Sequence, residues 1–91
     1  MKTTIHDNDA IRINRLGVVM ALMHRKNIFM SVSDNEIICD IVEDMKKGHI
    51  KERRAYQFDD NDLLVGTIEW EARDIEQENE YIDLMRGEQE G

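Results

Sequence analysis

An isoleucine repeat in the last third of the chain most constrains how this protein can fold. Isoleucine recurs every seven residues within 68–82, and residues three positions earlier complete an a/d heptad pattern. Four Asp and Asn residues at 59–62 offer side chains that cap a helix start, and Gly87 is the residue type favoured just past a helix end. The pattern therefore predicts one long acidic helix over residues 60–86.

The repeat defines an apolar seam along this helix. A parallel self-pair would place carboxylates opposite carboxylates, which is unfavourable. The seam is therefore expected to pack against the chain's own first two helices or against a basic or neutral surface, and we assign it as the oligomer seam. Its members are Val65, Ile68, Ala72, Ile75, Asn79 and Ile82.

Two shorter helices are predicted upstream. Residues 10–26 are rich in apolar side chains and follow Asp and Asn residues that can cap a helix. Ser33 and Glu36 have the spacing of a capping box, and the apolar residues after them recur at helical intervals, which predicts a second helix over 34–47. The chain contains no proline, the residue that most strongly breaks helices.

These elements predict a mostly α, three-helix small domain with a long acidic C-terminal helix. The one candidate for β structure is a short two-stranded element that pairs residues 28–32 with 50–58, although a loop or irregular helix suits the second segment equally well. Residues 1–8 are expected to be a flexible N-terminus, with a short extended piece around Thr3–Ile5 as the alternative, and 87–91 a solvated tail.

Length and cysteine content bound the context. A single domain over residues 1–91 buries a modest core, so we expect a homodimer to stabilise it. Cys39 is the only cysteine and lies among apolar residues, which indicates a buried thiol and is consistent with a reducing cytoplasm. No apolar run approaches the roughly 20 residues that a membrane span needs, so no membrane partner is expected.

Charge is distributed unevenly along the chain. Residues 59–91 contain two Lys or Arg and twelve Asp or Glu. Residues 1–58 contain ten Lys or Arg and eight Asp or Glu. This asymmetry indicates an interaction surface on the acidic part. Because Trp and Tyr are frequent binding hot spots, we predict that the acidic helix recognises another protein, such as a basic nucleic-acid-binding regulator. The predicted partner-binding residues are Glu69, Trp70, Glu71, Asp74, Glu78 and Tyr81.

Two alternatives involve nucleic acid. Carboxylates along the 60–86 helix could imitate phosphates and occupy a basic groove, which would make the protein a DNA or RNA mimic. Alternatively, a basic segment followed by aromatic residues could bind nucleic acid directly, although the acidic helix opposes this. That segment spans residues 46–54, and its candidate contacts are Lys46, Lys47, Lys51, Arg53 and Arg54.

Catalytic and metal-binding patterns are not found in the sequence. The three histidines share no ligand spacing, the acidic cluster at 59–62 does not fit a calcium loop, and no glycine-rich phosphate loop occurs. We therefore expect no enzyme activity and no cofactor. Small size, acidity and the lack of catalytic groups are typical of small regulatory proteins and inhibitors, including those that phages encode.

Overall fold

The described residues form a five-stranded antiparallel sheet with two helices. A computed structural model of the protein describes residues 1–7, 12–44 and 48–90. The elements in chain order are β1 (Lys2–Ile5), α1 (Arg15–Met23), β2 (Ile28–Val32), β3 (Glu36–Asp44), β4 (His49–Phe58), β5 (Leu64–Glu69) and α2 (Ala72–Glu90). The prediction of a mostly α, three-helix domain is therefore wrong.

The strands follow a meander with one addition at its end. Strands β2 to β5 pair in chain order, and β1 pairs with β5, so the sheet order is β1-β5-β4-β3-β2. Gly66 of β5 allows a close approach of β1, because a Cβ atom there would lie 3.2 Å from the carbonyl oxygen of Thr4. Strands β1 and β2 form the two edges.

The segment predicted as the second helix is strand β3. Ile37 and Cys39 point to the face covered by α1 and are buried, while Val42, of opposite parity, is buried on the other face. A strand covered on both faces shows a nearly continuous apolar run, and such a run also matches helical spacing. The β-branched Ile and Val side chains favour the extended conformation.

The apparent capping box is a tight turn of the β2–β3 hairpin. The amide of Ser33 donates to the carbonyl of Glu36 at 2.9 Å, and the Ser33 hydroxyl donates to the same oxygen at 3.1 Å. Asp34 and Asn35 occupy the centre of this turn, where short polar side chains are favoured. The prediction of a helix start is wrong because the same residue types serve both structures.

The predicted pairing of residues 28–32 with 50–58 is also wrong. Both segments are strands, but β3 lies between them and pairs with each: Met30 with Cys39, and Cys39 with Arg54. The prediction fails because the sequence pattern indicates a helix for residues 34–47, whereas these residues include the strand that separates the two segments.

The acidic cluster at 59–62 closes the β4–β5 hairpin instead of starting a helix. The carboxylate of Asp59 accepts hydrogen bonds from the amides of Asn61 and Leu63, at 2.9 and 3.0 Å. Asp62 has a positive φ of 62°, which Asp tolerates better than most residues. The helix predicted over 60–86 therefore begins twelve residues later, at Ala72, and continues to Glu90, through part of the predicted tail.

Helix α1 covers one face of the sheet. Its Asn14 side chain accepts a hydrogen bond from the Gly17 amide at 2.8 Å, which caps the helix start. Val18 and Leu22 are buried against Ile37, Phe58 and other apolar side chains of the sheet. A helix was predicted here from residue 10, but residues 8–11 lie outside the described part of the chain.

Candidate protein-binding surface

Helix α2 covers the part of β4 that extends beyond β5. Strand β5 ends opposite Arg54, so the first residues of β4 have no strand beside them on that side. Asn79 supplies the missing partner. Its side-chain oxygen accepts from the Ile50 amide at 2.7 Å and its side-chain nitrogen donates to the Ile50 carbonyl at 2.9 Å. One side chain thus reproduces the two bonds that a neighbouring strand would make.

Charged side chains reinforce this attachment. His49 lies 2.6 Å from the carboxylate of Asp83, and the Arg53 guanidinium lies 3.7 Å from that of Glu78. Three acids of α2, Asp74, Glu78 and Asp83, and Glu71 just before the helix contact basic groups of this chain. Asp74 and Glu71 both contact the amino nitrogen of Met1. The inner side of α2 is therefore electrostatically matched to the sheet.

Only part of the predicted seam lies on this helix. Val65 and Ile68 belong to β5, and Ala72 is exposed at the first position of α2. Half-buried Ile75, Asn79 and Ile82 recur at helical spacing, and Asn79 shows that this side faces β4. Because the chain's own sheet contacts this side, the seam is not free to pair with a second copy along its length.

A groove of about 390 Å³ runs between α2 and β4. Trp70 forms one wall, and its amide donates to the Arg53 carbonyl at 3.2 Å, which fixes the chain where β5 leads into the helix. Tyr81 and Ile75 contribute from α2, and Ile50 contributes from β4. The groove is thus lined by the only tryptophan of the chain and by aromatic and aliphatic side chains.

The one arginine among the residues that line the groove is held by contacts within the chain. Arg53 donates to both carboxylate oxygens of Asp40, at 2.7 and 3.0 Å, and its guanidinium lies 5.9 Å from the centre of the Trp70 ring. The hydrogen bond to Asp40 is the main reason that the pKa of Arg53 is raised. With Arg53 engaged by Asp40, the carboxylates of Asp74 and Glu78 give the groove an acidic rim.

The outer side of α2 is exposed and acidic. Glu76 and Glu80 lie one turn apart and have no ion pair with another described residue. Tyr81 retains 58% of its surface exposed, and Leu84 retains 62%. Large apolar side chains beside unpaired carboxylates are typical of a protein contact surface rather than of a merely solvated helix.

The structure brings together four of the six predicted partner-binding residues. Trp70, Asp74, Glu78 and Tyr81 all line the groove. Glu69, in contrast, pairs with Arg54 at 2.8 Å, and Arg54 lies on the opposite face of the sheet from Arg53 because successive strand residues alternate. Exposed Glu71 precedes the helix beside this surface, and it is among the acids described above that contact Met1.

The alternative nucleic-acid patch is divided by the strand geometry. Lys46 and Lys47 lie outside the described residues, and Lys51 is exposed on β4. Arg53 and Arg54 point to opposite faces, and each is paired with a carboxylate of the same chain. The pKa of Arg54 is raised, chiefly by its hydrogen bond with Tyr56. These two guanidiniums are therefore partly neutralised and do not form one continuous surface.

Sequence reasoning missed the β4 contribution to the groove. Ile50 and Arg53 line it, yet about twenty residues separate them from the nearest groove residue of α2. Their position depends on where β5 ends, which no local pattern reveals. The alternation of Ile50 with charged neighbours was the one available signal, and it also fitted a loop.

Two negative observations apply to the described part of the chain. No group of three or more His, Cys, Asp or Glu side chains is arranged to hold a metal ion there. Neither helix combines the length and apolar character that crossing a membrane requires.

Comparison with protein-family models, with curated proteins and with solved structures finds no match to this chain.

Proposed function

We propose that this protein is a regulatory protein that acts by binding another protein through the outer side of α2 and the adjoining groove. The observation that carries the proposal is that Trp70 and Tyr81 line one groove along a helix whose exposed carboxylates, Glu76 and Glu80, have no ion pair with another described residue. The partner surface is basic and presents an apolar or aromatic side chain that enters the groove.

The two parts of this surface would contribute differently. Filling the groove removes Trp70, Ile75 and Tyr81 from water, so the apolar anchor supplies most of the affinity. The carboxylates of α2 lie at the rim, where charges mainly raise the association rate and select partners of opposite charge. Binding alone is sufficient for inhibition when the surface that is covered is one that the partner needs for its own activity.

The experiment that tests the proposal uses peptides and the fluorescence of Trp70. Random peptides displayed on phage are selected on the purified protein, and enriched peptides are titrated while the emission of Trp70, the only tryptophan, is followed. We expect enrichment of peptides that combine Lys or Arg with an apolar or aromatic residue, and a shift in emission on binding. The Tyr81→Ala variant should bind at least about tenfold more weakly, because anchor residues dominate such contacts.

A charge-matched pair of variants separates the contribution of the exposed α2 carboxylates from nonspecific attraction. The double change Glu76→Lys and Glu80→Lys should weaken binding and reduce its salt dependence between about 50 and 500 mM. The control, Asp34→Lys with Asp60→Lys, changes net charge by the same amount at exposed turns away from the groove. Equal losses in both double variants, or selected peptides that leave Trp70 emission unchanged, would contradict the proposal.

A nucleic-acid mimic is the second candidate. It is favoured by one observation: Glu76 and Glu80 lie one turn apart on an exposed helix and form no ion pair with the residues that the structure describes. In that case charge supplies the affinity, so Glu76→Lys with Glu80→Lys should abolish binding to a basic partner while Tyr81→Ala has little effect. Titration of duplex and single-stranded oligonucleotides with the protein tests direct nucleic-acid binding in the same assay.

A further inference from the structure

Strand β2 is an edge strand whose outward hydrogen-bonding groups face no other described strand. At the two ends of the β2–β3 ladder, the Ser33 amide donates to Glu36 and the Val42 amide donates to Asn27. Hydrogen-bonded residues alternate along an antiparallel strand. Phe29 and Ser31 are therefore bonded to β3, while the N–H and C=O groups of every second residue, 28, 30 and 32, point outward.

This edge has none of the features that usually block further pairing. The strand contains no charge and no proline, and its pairing with β3 has no bulge. Phe29 and Val32 are each 51% exposed. The opposite edge, β1, differs because it includes Lys2 and is only four residues long.

We propose that two copies of the chain associate through their β2 edges and form one continuous ten-stranded sheet. The strands pair antiparallel around a two-fold axis at Met30, so that Ile28 lies opposite the partner subunit's Val32. Each outward N–H and C=O group then finds its counterpart, because the three outward residues are placed symmetrically about Met30. A second copy fits this edge better than a charged partner segment, since the strand offers no charge to complement.

The location of α1 adds to this surface. Met30 packs against the core cluster that includes Val18 and Leu22, so α1 lies on the Met30 face of the sheet. A two-fold axis perpendicular to the sheet places both copies of α1 on that same face. Both copies of α1, with their exposed apolar residues Leu16, Met20 and Met23, then cover the same face of the joined sheet.

Self-association through β2 leaves α2 free in both copies. A dimer would present two acidic helices and two grooves, which increases the apparent affinity for any partner with repeated sites. The self-association itself does not depend on the proposed function. Salt separates the two, because repulsion between copies that each have a net charge of −8 is screened by salt, whereas attraction to a basic partner is weakened.

Sedimentation equilibrium of the full chain tests the proposal. Small interfaces associate weakly, so the concentrations should extend from about 10 to 500 µM, at low and at high salt. We expect the average mass to rise from that of the 10.7 kDa monomer towards twice that value, and more readily at high salt. A mass that stays at the monomer value at the highest concentration and highest salt overturns the proposal.

A matched pair of edge variants locates the interface. Phe29→Lys with Val32→Lys should yield a monomer under all conditions, and circular dichroism should show unchanged secondary structure because both side chains are half exposed. The control places the same two charges on the other edge, with Thr3→Lys and Ile5→Lys, and should still dimerise. Dimerisation that survives the β2 changes, or that is lost only with the β1 changes, overturns the assignment.

Cross-linking tests the register. In a Cys39→Ala background, Met30→Cys places two thiols at a directly opposed pair, where Cα atoms are about 5.5 Å apart and a disulfide is allowed. Ser31→Cys is the comparison, because Ser31 would lie opposite the partner subunit's Phe29. Oxidation should cross-link the first variant faster, and the reverse order would show that the strands pair in another register.

Discussion

Helix α1 is held to the sheet by buried apolar side chains, whereas helix α2 is held at the end of β4 largely by polar contacts. Val18 and Leu22 of α1 are nearly inaccessible to solvent. No side chain of α2 is buried to that degree among those the structure describes. The position of α2 depends on Asn79, on the hydrogen bond between Asp83 and His49, and on the contact between Glu78 and Arg53.

This difference in attachment indicates that α1 belongs to the folded core, whereas α2 is more readily available for contacts with other molecules. Apolar burial is non-directional and cooperative, so α1 cannot leave the sheet without unfolding the core. Hydrogen bonds and ion pairs are directional and individually weak, so α2 can shift locally while the sheet remains intact. The following predictions test this contrast, in order of decreasing effect.

Removing core volume beneath α1 should have the largest effect. Ile37 is 0% exposed and lies in the cluster that contacts α1, so Ile37→Ala should lower the free energy of unfolding by about 3–4 kcal/mol. Ile5→Ala, the same change at a side chain that is 86% exposed, is the control and should cost much less. Urea unfolding followed by circular dichroism measures both, and similar losses would mean that the assigned core is incorrect.

Removing the Asn79 contact should loosen α2 without disrupting the core. Asn79→Leu keeps a good helix former but leaves the Ile50 amide and carbonyl without partners, which should cost about 1–2 kcal/mol. Hydrogen exchange at Ile50 should accelerate while exchange at Cys39 in β3 is unchanged. Gln77→Leu, the same chemical change at an exposed position of α2, should leave both rates unaltered. Uniform acceleration throughout the sheet would contradict the contrast.

The two carboxylates that contact Arg53 should differ in importance. Asp40→Asn weakens a bidentate pair whose side chains are about one-fifth exposed, and should cost about 1–2 kcal/mol. Glu78→Gln removes a longer contact to a more exposed carboxylate and should cost about 0.5 kcal/mol or less. Urea unfolding at low salt compares them, and a greater loss for Glu78→Gln would mean that α2, rather than β3, fixes this arginine.

Titration of Cys39 should give the smallest effect. Burial, with a contribution from Asp40, raises the pKa of this thiol above its ordinary value. The unfolded chain therefore loses the thiol proton at a lower pH than the native protein does. The contribution of Cys39 to stability should thus be constant below about pH 8.5 and should fall as pH increases further. The difference in unfolding free energy between the wild type and Cys39→Ala, measured from pH 7 to 10, isolates this effect. An increase of that difference with pH would contradict the assigned burial.

Local patterns predicted the two segments in which helices occur but not the sheet between them. The helix at 15–23 and most of the helix at 72–90 lie within segments whose apolar spacing indicated helices. The Ser33 turn and the Asp59 turn were interpreted as helix starts, because capping and tight turns both use short side chains that accept backbone hydrogen bonds. Only long-range strand pairing distinguishes the two uses.

The candidate site shows the same division. Residue type and acidic surroundings indicate Trp70 and Tyr81 as candidate anchors, and the structure places both at one groove. That Arg53 would be engaged by Asp40, rather than join a basic patch, could not be inferred, because their pairing depends on the register between β3 and β4.

On its own, the order of residues decides the concentration of negative charge in the last third of the chain, the helical character of residues 72–86 and the apolar character of residues 37–42. These are local properties, since they depend on side chains that are close in sequence. Tertiary structure alone decides that β3 is a strand, that the Asn79 side of α2 faces the chain's own sheet, and that β2 is an edge strand. Each of these depends on hydrogen bonds between separate segments of the chain, whose partners no local pattern specifies.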